Sequence, residues 1–276
     1  MISVPDMFQL QALTARFFHH PKSSELYQIL LLEGNGTISV DFTEYEFEGK
    51  IALFTTPYQH LSISSPVDLP VARLAFHGDF YCIEYHKQEV ACNGLLFNNI
   101  YKKPFIHLKD KELDQVFEKL RFEVEKDEPY SEPVLRTYLQ LVLAISSKIK
   151  RQEQQLEPSS IESGLEKFQE LLEAHFLTQR SPLFYSDQLA ISPTVFTKKC
   201  KLLFGKPPSL LIQERVMLEA KKQLHLTRKS IKEVAGFLQF EDEHYFSRFF
   251  KKHTGISPTV FREKVGISIV ADLSMR

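Results

Sequence analysis

The sequence predicts an α+β chain in two parts. An N-terminal small β-barrel with flanking helices is followed by a C-terminal all-α part in which two short helix pairs are joined by a long helix. Three observations carry this reading. The chain has 276 residues, more than one typical domain needs, so each of two parts can bury its own core. The hydrophobic period changes from strand-like to helix-like after His107. The charge is divided as well: between Ser181 and Arg262 there are 14 Lys and Arg against 7 Asp and Glu, whereas residues 1–180 carry 18 against 26, a division hidden by the net charge of -1.

Bulk properties exclude some classes. A hydrophobic content of 43% with 25% charged residues is that of a globular protein. No apolar run approaches the ~18 residues of a membrane helix, so no membrane partner is expected. The start, MISVPDMFQLQALTARFFHH, lacks the charged-then-apolar pattern of a secretory leader. Cys82, Cys92 and Cys200 form no C-x-x-C pair and leave one thiol over from any bridge, which fits a reducing compartment. A cytoplasmic protein with free thiols is expected.

From Tyr27 to Phe105 short β-branched and aromatic runs, YQILLL, GTISVDF, KIALFTT and VARLAF, alternate with turn residues. Gly34-Asn35-Gly36, between the first two runs, predicts a hairpin. Many short antiparallel strands at close spacing suggest a small barrel or sandwich over residues 1–110. Residues 111–150 then read as two amphipathic helices. Leu113, Val116, Phe117, Leu120 and Val124 recur at three- and four-residue steps in the first. After the Pro129 to Pro133 break, Leu135, Tyr138, Leu139, Val142, Ile145 and Ile149 make a broad stripe in the second, which ends in KIKRQ, where cations favour a helix C-terminus. That stripe must be covered, either by the barrel of the same chain or by its copy in a dimer. Residues 151–160, RQEQQLEPSS, read as a polar linker.

Residues 161–266 read as seven or so short helices with clear boundary signals. Ser159-x-x-Glu162 and Ser230-x-x-Glu233 are capping boxes; Ser181-Pro182 and Ser192-Pro193 each pair an N-cap hydroxyl with a first-turn proline. Gly205 and Gly255 fall just past apolar helical runs. Two segments share one plan. Residues around Phe184 to Ala190 lead through Ile191-Ser192-Pro193 into TVFTKKCKLLFG, and IKEVAGFLQF leads through Glu241-Asp242 into EHYFSRFFKKHTG; Ile191 and Phe240 correspond, 49 residues apart. A short helix, a tight turn and a second helix with apolar and basic positions make a helix-turn-helix, whose second helix lies in a DNA major groove. The long helix in PPSLLIQERVMLEAKKQLHL would set two such helices on groove faces about 34 Å apart.

The stretch AGFLQFEDEHYFSRFFKKHTGISPTVFR resembles the signature of the AraC/XylS family of transcription regulators, and the likeness extends over about the last hundred residues. Two departures stand out: Gln239 occupies a position where the family usually has Gly, which implies an altered turn, and Lys199 one where it usually has a large apolar residue. The resemblance implies double-stranded DNA as partner, RNA polymerase as a second partner if the protein activates, a homodimer, and no enzymatic activity.

Helical geometry, guided by the family, assigns Phe240, Phe246, Phe249 and Phe250 largely to the core. Glu243, His244, Ser247 and Arg248 in the second unit, with Thr194, Thr197 and Lys198 in the first, become base-contact candidates. Arg248 and Lys198 suit guanine, Glu243 suits cytosine N4, His244 a purine N7, and threonine methyls the thymine methyl. Lys201, Lys251 and Lys252 suit phosphates. The acidic run Glu241, Asp242, Glu243 opposes a phosphate backbone; Asp242 offsets part of this by capping the helix.

The resemblance also implies a cupin-like front domain that takes a small-molecule effector. TTPYQH, closed by His60, is similar to the strand-end Pro…His of such barrels. Tyr27, Phe54, Tyr58, His60, Phe76 and Tyr81 are candidates to line its pocket, or else simply fill a small barrel. A metal-dependent cupin enzyme would need His-x-His with further ligands, and only His77, Glu84 and His86 cluster here, so neither metal nor other cofactor is expected. Nothing near Cys82 or Cys92 argues for a reactive thiolate. Two readings of the whole chain remain: a regulator controlled by an effector, or a DNA-binding protein whose front domain serves only dimerisation or partner binding.

Overall fold

The computed structural model describes residues 7–83, 94–126, 131–156 and 163–268. The chain forms two compact units, one rich in strands and one helical.

In the first unit β1 (Phe8–Thr14) runs into a 3-10 turn (Ala15–Phe18) and is followed by β2 (Tyr27–Val40), β3 (Thr43–Thr55), β4 (Leu61–Ser64), β5 (Pro70–Phe76) and β6 (Phe105–His107), then α1 (Glu112–Lys126) and α2 (Ser131–Leu156). The strands make one antiparallel sheet in the order β1-β5-β2-β3-β6. The expected antiparallel strand unit with flanking helices is present. Among the described residues β1 and β6 do not pair with each other, so the ring of strands stays open.

The hairpin expected at Gly34-Asn35-Gly36 is not there. These residues lie inside β2, opposite Gly49, Glu48 and Phe47, and the chain reverses later, between Val40 and Thr43, where Asp41 takes φ +54°. The glycines answer a need for close approach instead of a turn. A Cβ on Gly36 would sit 2.3 Å from the Ser64 carbonyl oxygen, and one on Gly34 would sit 2.6 Å from the Leu69 side chain. This is where β2 exchanges one neighbour for another: residues 27–32 pair with β5 and residues 37–40 with β4.

Both faces of the sheet centre are apolar, which is why YQILLL is an unbroken run and not an alternation. Ile29 and Leu31 join Phe54, Leu74 and Phe76 in one core; Leu30 and Leu32 join Leu53, Val71, Phe18 and Leu61 in another. The first core is completed by Leu113, Val116, Phe117 and Leu120 of α1 and by the stripe of α2. Leu135, Leu139, Val142 and Ile145 are buried there, with Tyr138 and Ile149 packed against them, all within one chain. The stripe left open for dimer pairing is therefore a sheet cover: a two-sided apolar sheet leaves a large face that α2 must close. Val124, by contrast, is 39% exposed and stands outside that core. Helix α2 also continues to Leu156, six residues into the stretch read as a linker. Arg, Gln, Glu and Leu are strong helix formers, and their polarity marked exposure, not a loop.

The effector-pocket candidates are mostly core. Tyr27 stacks on Phe76 at 5.4 Å, Phe54 meets Phe97 edge-on at 5.5 Å, and Tyr81 meets Phe76 at 6.4 Å. Tyr58 is buried with φ +59°, its hydroxyl pKa raised by burial and by Glu25. His60 is half-buried, 3.8 Å from the Asp41 carboxylate. None of the six lines a cavity of about 410 Å³ in this unit, whose walls come from β1, the 3-10 turn, the segment 22–24, β2 and β5. His77 lies 3.5 Å from Asp79. Glu84, His86 and Cys92 fall outside the described residues, among which no three His, Cys, Asp or Glu are arranged to hold a metal ion.

The second unit carries α3 (Ser163–His175), α4 (Pro182–Gln188), α5 (Pro193–Phe204), α6 (Pro208–Leu226), α7 (Ile231–Phe237), α8 (Glu243–Thr254) and the greater part of α9 (Pro258–Val265). Aromatic rings build its core in two clusters. Phe168 meets Tyr185 at 5.5 Å and Phe196 at 5.0 Å; Phe246 and Phe261 flank Phe250 at 5.9 and 5.3 Å. No helix among the described residues is long and apolar enough to cross a membrane.

Candidate nucleic-acid interface

The two helix-turn-helix units repeat each other bond for bond. In the first turn Leu189, Ala190 and Ile191 donate their N–H groups to the carbonyls of Tyr185, Asp187 and Ser186; in the second Leu238, Gln239 and Phe240 donate to Val234, Gly236 and Ala235, each partner displaced by 49 residues. Ala190 and Gln239 occupy the same left-handed conformation, φ +54° and +56°. The second turn then holds one additional residue, so the recognition helices α5 and α8 correspond at an offset of 50, with Ser192 matched to Asp242 as N-cap.

The helices on either side of the two turns, α4, α5, α7 and α8, have their starts fixed by side-chain chemistry. Ser181 accepts from Leu183 N at 3.3 Å and Ser192 from Val195 N at 3.3 Å, each followed by proline at the first helical position. Asp242 accepts from Tyr245 N at 2.6 Å. Ser230 and Glu233 close a reciprocal capping box at 3.2 and 2.6 Å, and the backbone hydrogen bond holds the Glu233 carboxyl below the usual carboxylate range. The Ser159 and Glu162 box lies outside the described residues. The helix ends follow the expected rule: Gly205 and Gly255 are left-handed, and their N–H groups reach Lys201 and Lys251 carbonyls at 3.1 and 2.9 Å.

The surface pattern repeats too. From Ser192 to Cys200 and from Asp242 to Phe250 the burial sequence is the same: four exposed residues, one buried, one half-buried, one exposed, one half-buried, one buried. The buried members are Phe196 and Cys200 in α5 and Phe246 and Phe250 in α8. Thr194, Lys198, Glu243, His244 and Arg248 are exposed, and Thr197 and Ser247 are half-buried on the same rims. Lys201, Lys251 and Lys252 are exposed toward the helix ends. All base- and phosphate-contact candidates thus lie at the surface, and Thr194, Thr197 and Lys198 stand at positions matching His244, Ser247 and Arg248. Burial drives the Cys200 thiol up to about 12, leaving it a packing group.

Sequence reasoning missed several residues. Val195 and Tyr245, which correspond at the offset of 50, are 43% and 47% exposed between the polar candidates. Apolar residues turned to solvent on a helix whose opposite face is core are a signal that periodicity alone would have given. Arg180 lies with its guanidinium 4.0 Å from the Phe240 ring centroid and donates to the Leu238 carbonyl, bracing the second turn from before α4. Arg215 of α6 sits 3.8 Å over Phe176 and pairs with Glu173 at 2.8 Å and Glu219 at 3.3 Å. A lone arginine carries no motif, so neither role was visible in the sequence.

A family model described as a helix-turn-helix domain matches residues 185–264. The raffinose operon transcriptional regulatory protein RafR of Pediococcus pentosaceus is 30% identical over 60 residues, 22% of this chain and 22% of that regulator's length. Among solved structures, the C-terminal domain of the two-component response regulator yesN of Fusobacterium nucleatum is 30% identical over 35% of this chain and 95% of its own, with a TM-score of 0.34. ToxT of Vibrio cholerae is 16% identical over 94% of this chain and 98% of its own, with a TM-score of 0.42. Residues 185–264 of this chain are thus a helix-turn-helix domain similar to those of AraC-type DNA-binding regulators.

Proposed function

We propose that the chain is a transcription regulator that reads two adjacent major-groove segments of double-stranded DNA, one with α5 and one with α8. The carrying observation is the repeated exposure pattern of the two recognition helices, which presents side chains at matched positions on two identically built supports. Arg248 and Lys198, at corresponding positions, donate to guanine edges; Glu243 accepts from cytosine N4, and His244 and Ser247 donate to purine or phosphate acceptors. Thr194 and Thr197, with Val195 and Tyr245, offer apolar surface to thymine methyls. Lys201, Lys251 and Lys252 hold the backbone without reading sequence. The excess of 14 basic over 7 acidic residues between Ser181 and Arg262 supplies the attraction to phosphate, and the acidic front of the chain adds none.

The front unit acts as the control element. Its cavity of about 410 Å³ falls within the ~300–1,000 Å³ range of small-molecule sites and supports an effector over a purely structural domain. Effector and DNA then change each other's affinity by the same factor. Contact with RNA polymerase follows if the protein activates. If it pairs with a second copy, it uses a face other than the α2 stripe, which its own sheet occupies.

The test is binding of the purified chain to its own upstream region across a salt series, with Arg248→Ala alongside. Tight, salt-sensitive binding whose loss in the variant concentrates on particular sequences is the expected result. Binding that stays at the nonspecific level under every salt and candidate effector would contradict it.

A further inference from the structure

Arg73 of β5 is a buried cation with no anion beside it. Its residue is 8% exposed, on the sheet face of Leu30 and Val71. Four side-chain oxygens surround the guanidinium, all neutral: Gln28 Oε1 accepts from Nε at 2.6 Å, Gln11 and Gln9 Oε1 from Nη1 at 2.7 and 3.2 Å, and Ser24 Oγ from Nη2 at 3.2 Å. Among the described residues no carboxylate lies within ion-pair distance of it. Burial lowers its pKa with no acidic neighbour acting the other way. A guanidinium taken out of water is ordinarily matched by a carboxylate, because neutral acceptors return only part of the lost hydration energy. Here the match is missing, and the cation borders the 410 Å³ cavity of the front unit.

The remaining walls fit that charge. Lys22, exposed at the mouth, holds its ammonium 4.4 Å from the Phe17 ring, so a second cation stands on the cavity rim. Phe17 and Phe18 give the cavity an aromatic side. Gln28 is buried and is itself held by Thr55 through a 3.0 Å hydrogen bond, which fixes the Nε edge of Arg73 in place. Gln11, in contrast, is an exposed side chain. The Nη1 and Nη2 donors are thus the ones a ligand can take over, by displacing Gln11 and Ser24, in the parallel two-bond geometry that guanidinium makes with carboxylate or phosphate.

We propose that this cavity binds a small organic anion, its carboxylate or phosphate forked on Arg73 and approached by Lys22, its apolar body against Phe17 and Phe18. That such binding regulates DNA affinity rests on the reading of the chain as an effector-controlled regulator; the anion site itself does not. Ligand binding is therefore measured without DNA. The full-length protein is titrated by calorimetry and by thermal shift, at constant ionic strength against chloride, with inorganic phosphate, glucose 6-phosphate, acetate and benzoate. The phosphate and carboxylate arms distinguish the two head groups, and benzoate against acetate reports the aromatic wall.

Because Arg73→Met could disturb the sheet, two surface variants carry the test. Gln11→Glu places a carboxylate where an amide oxygen now lies 2.7 Å from Nη1, and so supplies the missing anion from within the chain. It should raise the melting temperature of the unliganded protein and weaken anion binding at least about tenfold. Lys22→Gln should weaken binding by a smaller factor and leave the unliganded melting temperature unchanged. Saturable binding of one probe with these variant effects supports the proposal. It is overturned if no probe binds better than chloride, or if Gln11→Glu binds the anion as tightly as the unaltered chain. Anion binding that leaves DNA affinity unchanged would retain the site and refute only the regulatory reading.

Discussion

Replacing Gln239 by glycine should make the protein more stable, although the change removes a side chain and adds none. Gln239 stands at φ +56° in the turn between α7 and α8, where an L-residue brings its Cβ against the following carbonyl at a cost of ~1–2 kcal/mol. The side chain is exposed, and the backbone N–H keeps its 3.0 Å bond to the Gly236 carbonyl whichever residue is present. Glycine relieves the steric cost but loses more freedom on folding, which returns ~0.4–1 kcal/mol. The net gain is about 0.5–1 kcal/mol, or roughly 2–6 °C in melting temperature for a domain of this size. Ala190→Gly in the first turn, φ +54° and equally exposed, should give a similar gain, and the double variant should be additive because the turns share no hydrogen-bond partner. Gln239→Val, with a branched Cβ, should move the melting temperature down. The assay is urea unfolding followed by circular dichroism, with an unchanged m-value as the check that only the native turn has altered. A Gln239→Gly variant no more stable than the starting chain, or a Gln239→Val variant as stable, would refute the strain argument.

Further outcomes follow from the same geometry. Arg248→Ala should cost ~1–3 kcal/mol on the cognate site and much less on unrelated DNA, measured by fluorescence anisotropy with both probes. Lys251→Ala or Lys252→Ala should weaken binding to all sequences alike and reduce the slope of log K against log salt by about 0.9 for each phosphate no longer neutralised. Cys200, buried with its thiol pushed up to about 12, should resist alkylation in the folded protein at pH 8 and react once urea is added; peptide mass mapping reads this directly. Leu139→Ala, at a fully buried position between α2 and the sheet, should destabilise the chain by ~2–5 kcal/mol without creating or abolishing a dimer, as sedimentation would report.

The helical unit was legible because its signals are local. Ser192, Asp242 and the Ser230 and Glu233 pair announce helix starts, Gly205 and Gly255 announce ends, and the period of Phe246 and Phe250 separates core from surface. Gln239 was visible as an oddity, and the structure explains it: the position demands a left-handed residue, and glutamine accepts that conformation at a steric cost. The front unit was less legible because its determinants are nonlocal. Gly34 and Gly36 look like a turn until Leu69 and Ser64 are seen against them. The α2 stripe states that it must be covered but not by what, and only the two-sided sheet answers that. The pocket candidates were chosen as aromatic residues, yet Tyr27, Phe54, Phe76 and Tyr81 are the filling of a core. The cavity proposed above for an effector lies beside Arg73, an arginine within VARLAF whose burial no pattern revealed. Arg180, stacked on the Phe240 ring of the second turn, and Arg215, stacked on Phe176 outside its own helix, escaped for the same reason.

That α5 and α8 read different parts of one site can be tested by a selection from random duplexes, run in parallel with the unaltered protein, Lys198→Ala and Arg248→Ala. The expected result is one extended motif in which the two variants lose preference at separate positions about one helical turn, ~10 base pairs, apart. Loss at the same positions in both variants, or no enriched motif at all, would contradict it.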